Sequence, residues 1–199
     1  MPVMHPVLQQ VFDRYRPELA DRDAEWCQRH PRQDDRQWSA QELIEHLVLT
    51  CRSTSRELER RLERGHPTRA RSSPLQWFLQ LVVLSFGRMP NGVPAPIFAR
   101  PDQLRWSARD GAALLEALRV EMEGMDERIS QCRQSFGIQR VASHFLLGPL
   151  RPDQWRRFHV VHIGHHLDQM KRIGKSVSDA ARTEASPLHP AAPSAVARQ

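Results

Sequence analysis

From Trp155 to Gln169 the chain reads WRRFHVVHIGHHLDQ, which places His159, His162, His165 and His166 within eight residues. At about 100° per residue, Trp155, His159, His162, His166, Gln169 and Ile173 share one narrow helical stripe. An apolar stripe there would be ordinary core; three imidazoles make it a costly core or a metal site. His162 and His166, at i and i+4, can turn their rings to one cation. His165 lies about 80° off the stripe, which directs it to a neighbouring helix or to solvent. A facial site needs a further ligand, and His46 interrupts the otherwise apolar run LIEHLVLT. At helical spacing His46 lines up with Thr50, Ser53 and Glu57 beside an apolar face through Leu43 and Leu47. Burying such groups unpaired would cost roughly 1–3 kcal/mol each. A polar streak aimed into a helical core therefore implies a cavity that takes solvent or a ligand.

The elements that must position these residues read as helices. Leu8, Val11, Phe12, Tyr15 and Leu19 predict a first helix over about residues 6–27. Ser39 and Glu42 form a capping box, with Trp38 and Leu43 as a hydrophobic staple, and Gly65 closes a second helix ending at Arg64. Residues 74–86 predict a short buried helix, and the Pro/Gly-rich stretch 87–106 a long excursion of the functional or mobile kind. A third long helix starts near Ser107, carries Leu115, Leu118, Met122, Met125 and Ile129, and ends before Gly137. Residues 135–150 read as loop; Pro152 opens the His-rich helix and Gly174 is expected to stop it. The expectation is all-α: a four-helix bundle with long loops over residues 1–175, followed by a disordered tail over 176–199.

The 199 residues suit one domain with a real core, and 40% hydrophobic with 26% charged content is globular. All but Lys171 and Lys175 of the 29 basic residues are arginine, a bias of codon composition rather than a binding device. The densest basic cluster, residues 52–71, interleaves Glu57, Glu59 and Glu63 and has no aromatics to stack on bases. It reads as a solvated helix face, so no nucleic-acid partner is expected. Cys27, Cys51 and Cys132 are odd in number and widely spaced, as free thiols in a reducing cytoplasm would be. No signal peptide is evident at the start, and the longest apolar run, 75–86, is too short for a bilayer, so no membrane partner is expected. That run can instead supply a homodimer surface or fill the core.

WSAQELIEHLVLT, followed much later by HFLLGPLRPDQWRRFHVVHIGHHLDQ, resembles the DinB/YfiT-like superfamily. The resemblance covers about residues 4–173 and is nearest the domain-of-unknown-function branch reading H-P-x-F-G-x-L-T-x-x-E-W…H-x-x-H-H-x-x-Q. Departures are Ser143-His144-Phe145 at the H-P position, Arg151 for the Thr, and Asp168-Gln169 for Gly-Gln. The resemblance implies a four-helix bundle with zinc or nickel held by three histidines at one end. Position by position it makes His46, His162 and His166 the ligands, with His159 or His165 as the alternative for one of them. From their places on the stripe and the streak, His159 and Thr50 read as groups lining the pocket or supporting a ligand, and Gln169, one turn beyond the pair, as a partner behind it. No role is assigned to His5, His30, His66, His144 or His189.

Three neutral imidazoles leave a divalent cation its charge and an open position, as in catalytic zinc sites. Such a cation activates bound water or a thiolate. The resemblance favours the thiolate, because characterised relatives include S-transferases and isomerases using low-molecular-weight thiols such as bacillithiol, mycothiol or glutathione. Hydrolysis would need a base nearby, for which Glu57 and Asp168 are the candidates. The reading is thus a metal-dependent thiol S-transferase or hydrolase acting on a small molecule. The alternative is a non-enzymatic bundle that binds a metal or ligand in a stress-related or structural role.

Overall fold

A computed structural model describes residues 4–31, 37–90 and 93–184. The chain is mostly helical, with one small antiparallel sheet. The N-terminal stretch forms three short helices, α1 (Pro6–Asp13), α2 (Arg16–Leu19) and α3 (Ala24–Gln28), where the apolar spacing predicts one. Pro17 enters the first turn of α2 and lacks the amide a continuous helix needs, and Asp23 starts α3 by accepting from the Trp26 amide at 2.7 Å. The bend lets the Arg22 carbonyl accept from Gly111 at 2.8 Å. A Cβ at Gly111 would lie 1.7 Å from the Leu19 carbonyl oxygen, so this crossing admits only glycine.

The long helix α4 (Ala40–Arg64) has both halves of its capping box and ends in left-handed Gly65 (φ 69°), as the sequence predicts. It packs most extensively on α6 (Gly111–Phe136), whose predicted stripe is buried throughout. Helix α6 is capped by Asp110, three residues later than Ser107. Gln41 holds the intervening segment open by donating to the Ser107 carbonyl and accepting from the Arg109 amide at 3.0 Å.

Helix α5 (Pro74–Gln80) runs into a π-helical turn, Leu81–Ser85. It is not the buried helix predicted: Val83 and Gln80 face inward, but Leu75, Trp77 and Phe78 are exposed. Residues 135–150 are not all loop either, because β1 (Ala142–His144) pairs with β2 (Gly148–Leu150) in register Ser143↔Pro149. The hairpin docks on α5, where Gln80 donates to the Leu147 carbonyl at 2.7 Å.

Helix α7 (Pro152–Glu184) starts at Pro152 but passes through Gly174. Gly174 is a packing position, not a stop: a Cβ there would lie 3.7 Å from the Trp26 ring. Buried Ile173 and Val177 carry the apolar stripe onward, so residues 176–184 are helical rather than tail. The rest of the predicted tail, 185–199, lies outside the described residues. Helix α7 packs against α1, α4 and α6, and Tyr15 fixes its middle by donating to the Ile163 carbonyl at 2.7 Å. A second tie joins α6 to α7, where buried Asp126 accepts from Arg156 at 2.7 Å. Among the described residues no helix is long and apolar enough to cross a membrane.

Candidate metal centre

Helix α4 brings His46 to the same point as His162 and His166 of α7, and all three are buried. The Nε2 atoms of His46 and His162 are 3.3 Å apart, and those of His162 and His166 are 3.2 Å apart. The opposite ring nitrogens say which atoms carry protons. His46 Nδ1 lies 2.7 Å from the Ala99 carbonyl, and His166 Nδ1 lies 2.9 Å from the Gln169 side-chain oxygen. Both partners only accept, so both Nδ1 atoms are protonated and both Nε2 lone pairs face His162. His162 cannot satisfy the pair, since one Nε2–H serves one lone pair well, and its buried Nδ1 then has no partner. A cation at the convergence would resolve this, and the three histidines could hold one. With metal–nitrogen bonds of 2.0–2.1 Å, a tetrahedral site spaces its nitrogens by about 3.3–3.4 Å, close to the two separations from His162, and all three ligand atoms lie within 4.8 Å of one another.

Electrostatics favour the ligating form. Burial lowers the pKa of His162 well below the ordinary value, and repulsion from His166 and His46 lowers it further. Burial, with His46 beside it, takes His166 to about 3, and burial also lowers His46. All three rings are therefore neutral at pH 7, as metal ligation requires.

A cleft of about 1310 Å³ opens onto the triad. One wall is the Pro-rich excursion, including Pro90, Pro94, Phe98 and Ala99; Phe145 of the hairpin and Phe158 of α7 also line it. The exposed Arg172 and Lys175 also line it. Trp38 packs 4.9 Å from His46 and 6.4 Å from His166, and Phe158 stacks on His162 at 5.3 Å. Trp38 therefore does more than staple α4.

The other site candidates fall as follows. Gln169 supports His166, and Thr50 lines the cleft while its hydroxyl donates to the His46 carbonyl at 2.9 Å. His159 is fully buried against Thr54 at 3.0 Å and is not among the residues lining the cleft. His165 lines the cleft beside His166 but lies outside the ligand cluster. Neither suggested base is poised: Glu57 pairs with Arg61 at 3.1 Å, and Asp168 is exposed and not among the lining residues. Sequence reasoning gave His144 no role, yet it is buried at the cleft wall. Its place as the H before F-G in the quoted motif was the available signal.

A family model described as a protein of unknown function (DUF1569) matches residues 118–173. The matched stretch holds His144, His162 and His166 but not His46. No curated protein and no solved structure matches the chain.

Proposed function

We propose that this protein is a metal-dependent enzyme of the DinB-like type, a four-helix bundle in which His46, His162 and His166 hold zinc or nickel. The observation that carries this reading is the pair of Nε2 lone pairs on His46 and His166, both turned toward His162 by acceptors behind their rings. When bound, the metal would supply a Lewis-acid position that lowers the pKa of a coordinated thiol or water.

The chain's own residues favour the thiol. Of the two carboxylates considered as bases, Glu57 is engaged by Arg60 and Arg61, and Asp168 is not among the residues lining the cleft. The cleft supports an enzyme rather than a closed structural site, because it gives a small molecule a path to the triad. Arg172 and Lys175 are placed to receive the carboxylates of a low-molecular-weight thiol. A second copy of the chain, joined through the exposed face of α5, completes the partners in this reading. Nucleic acid is not among them, because Arg52, Arg61 and Arg128 are committed to Glu121, Glu57 and Glu59.

Metal content of tag-free protein, measured by mass spectrometry beside a His162→Ala variant, tests the site. Near-stoichiometric metal that disappears in the variant is the expected result. Absence of metal after reconstitution with zinc and nickel would overturn the reading.

A further inference from the structure

The tip of the β1–β2 hairpin fixes a fourth histidine at the wall of the cleft. His144 Nδ1 receives the backbone N–H groups of Leu146 and Leu147, each at 3.1 Å. Two amide donors aimed at one ring nitrogen require a lone pair there, so the ring's proton sits on Nε2. Among the described residues no acceptor meets that Nε2, and the ring lines the cleft. Gly148 sets the turn in a left-handed conformation (φ 71°), and Phe145, Trp155 and Phe158 hold the imidazole at centroid distances of 4.6, 5.6 and 4.4 Å. Phe158 also stacks on His162, so a single aromatic ring touches both His144 and the triad.

We propose that His144 is a fixed hydrogen-bond donor for the substrate, receiving an uncharged oxygen acceptor such as a carbonyl on an apolar molecule. This rests on the metal-centre reading above and names the chemistry of the substrate beside that centre. Burial takes His144 down to about 4, so the ring offers a neutral N–H and no charge to draw a carboxylate. Beside it Phe98 and Phe145 meet edge to face at 6.2 Å and remain 49% and 56% exposed. Two half-exposed phenyl rings flanking a buried donor suit a ligand with an apolar flank and one acceptor. If His144 only secured the hairpin turn, any side chain with an acceptor at the Nδ1 position would serve equally.

His144→Asn separates the two roles, because the Asn oxygen can take the turn amides while its shorter amide cannot place an N–H where Nε2 stood. The probes are two thiols titrated calorimetrically into zinc-loaded protein. N-phenyl-2-mercaptoacetamide has a carbonyl acceptor, and 3-phenylpropane-1-thiol has none. The variant is expected to bind the amide about tenfold more weakly and the plain thiol, zinc and urea as wild type does. Equal effects on both thiols, or none, would overturn the proposal. So would a nitrogen NMR spectrum of wild-type protein placing the His144 proton on Nδ1. Phe98→Ala does not disturb the hairpin amides and should weaken both thiols; unchanged affinities would overturn the apolar half. If neither thiol binds zinc-loaded wild type, the metal–thiol reading fails, and this inference fails with it.

Discussion

His46 and Ala99, 53 positions apart, are joined by a 2.7 Å hydrogen bond from a buried imidazole to a backbone carbonyl. That bond ties the tautomer of His46 to the Pro-rich wall of the cleft, so a metal held by His46 would be coupled to that wall. A cation that fixes the His46 ring from its Nε2 side also fixes the donor that holds residues 97–99 in their 3-10 turn. Zinc is expected to slow amide hydrogen exchange in residues 97–104, and His46→Ala to remove that protection. Equal exchange with and without zinc in wild-type protein would show the wall to be independent of the site.

The His166–Gln169 bond makes a parallel prediction about affinity. An acceptor behind a ligand fixes its ring and raises its basicity. Gln169→Ala should weaken zinc binding about 10- to 100-fold with little change in stability, since Gln169 is only half-buried. Gln169→Glu offers a stronger acceptor and should bind at least as tightly as wild type. Competition with a chromophoric chelator measures both variants; an alanine variant with wild-type affinity would remove Gln169 from the site.

Protonation of the buried histidines predicts how the metal-free protein responds to acid. Unfolded, each ring takes a proton near 6.5; folded, His144 waits until about 4 and His159 and His166 until about 3, chiefly because they are buried. Above 6.5 both states are neutral and these rings give no pH dependence. Below it the unfolded chain binds protons that the fold refuses, so stability falls by about 1.4 kcal/mol per ring and pH unit. From pH 7.5 to 5.5 the three rings together should cost about 4 kcal/mol, with His46 and His162 acting in the same direction. Urea midpoints across that range test this, and a flat profile would contradict the buried, neutral rings.

What the sequence made legible follows from how each feature is encoded. The triad was readable because His162 and His166 stand one turn apart and His46 heads a polar streak through Thr50, Ser53 and Glu57 beside an apolar helix face. The start of α4 was readable because a capping box is a local pattern of two named residues. The break between α1 and α2 was not, since Leu8, Val11, Phe12, Tyr15 and Leu19 keep helical spacing across it and all are buried. The hairpin strands have three residues each, too few to display period-two alternation. Gly174 misled because a glycine near basic residues can end a helix or admit a neighbour, and only Trp26, distant in sequence, decides. His144 was missed for a similar reason: a single histidine in a turn has no periodic partner, and its role rests on amides two and three residues on.

Helix α5 yields the last prediction. Leu75, Trp77 and Phe78 are 66%, 61% and 55% exposed, and Phe86 just beyond the π-helical turn is 68% exposed. These side chains do not sit on a loose segment. Ser73 and Gln76 close a capping box at the start of α5, and Gln80 anchors its end to the hairpin. A rigid helix that presents four large apolar side chains to water gains by covering them, and a second copy of the same face is the isologous way to do it. Light scattering should give twice the 23.0 kDa chain mass for wild-type protein. Trp77→Glu should give the monomer without loss of bound metal, because Trp77 is not among the residues lining the cleft. A monomeric wild type would leave the α5 face without this partner, and a monomeric variant that also lost metal would mean the two faces are not independent.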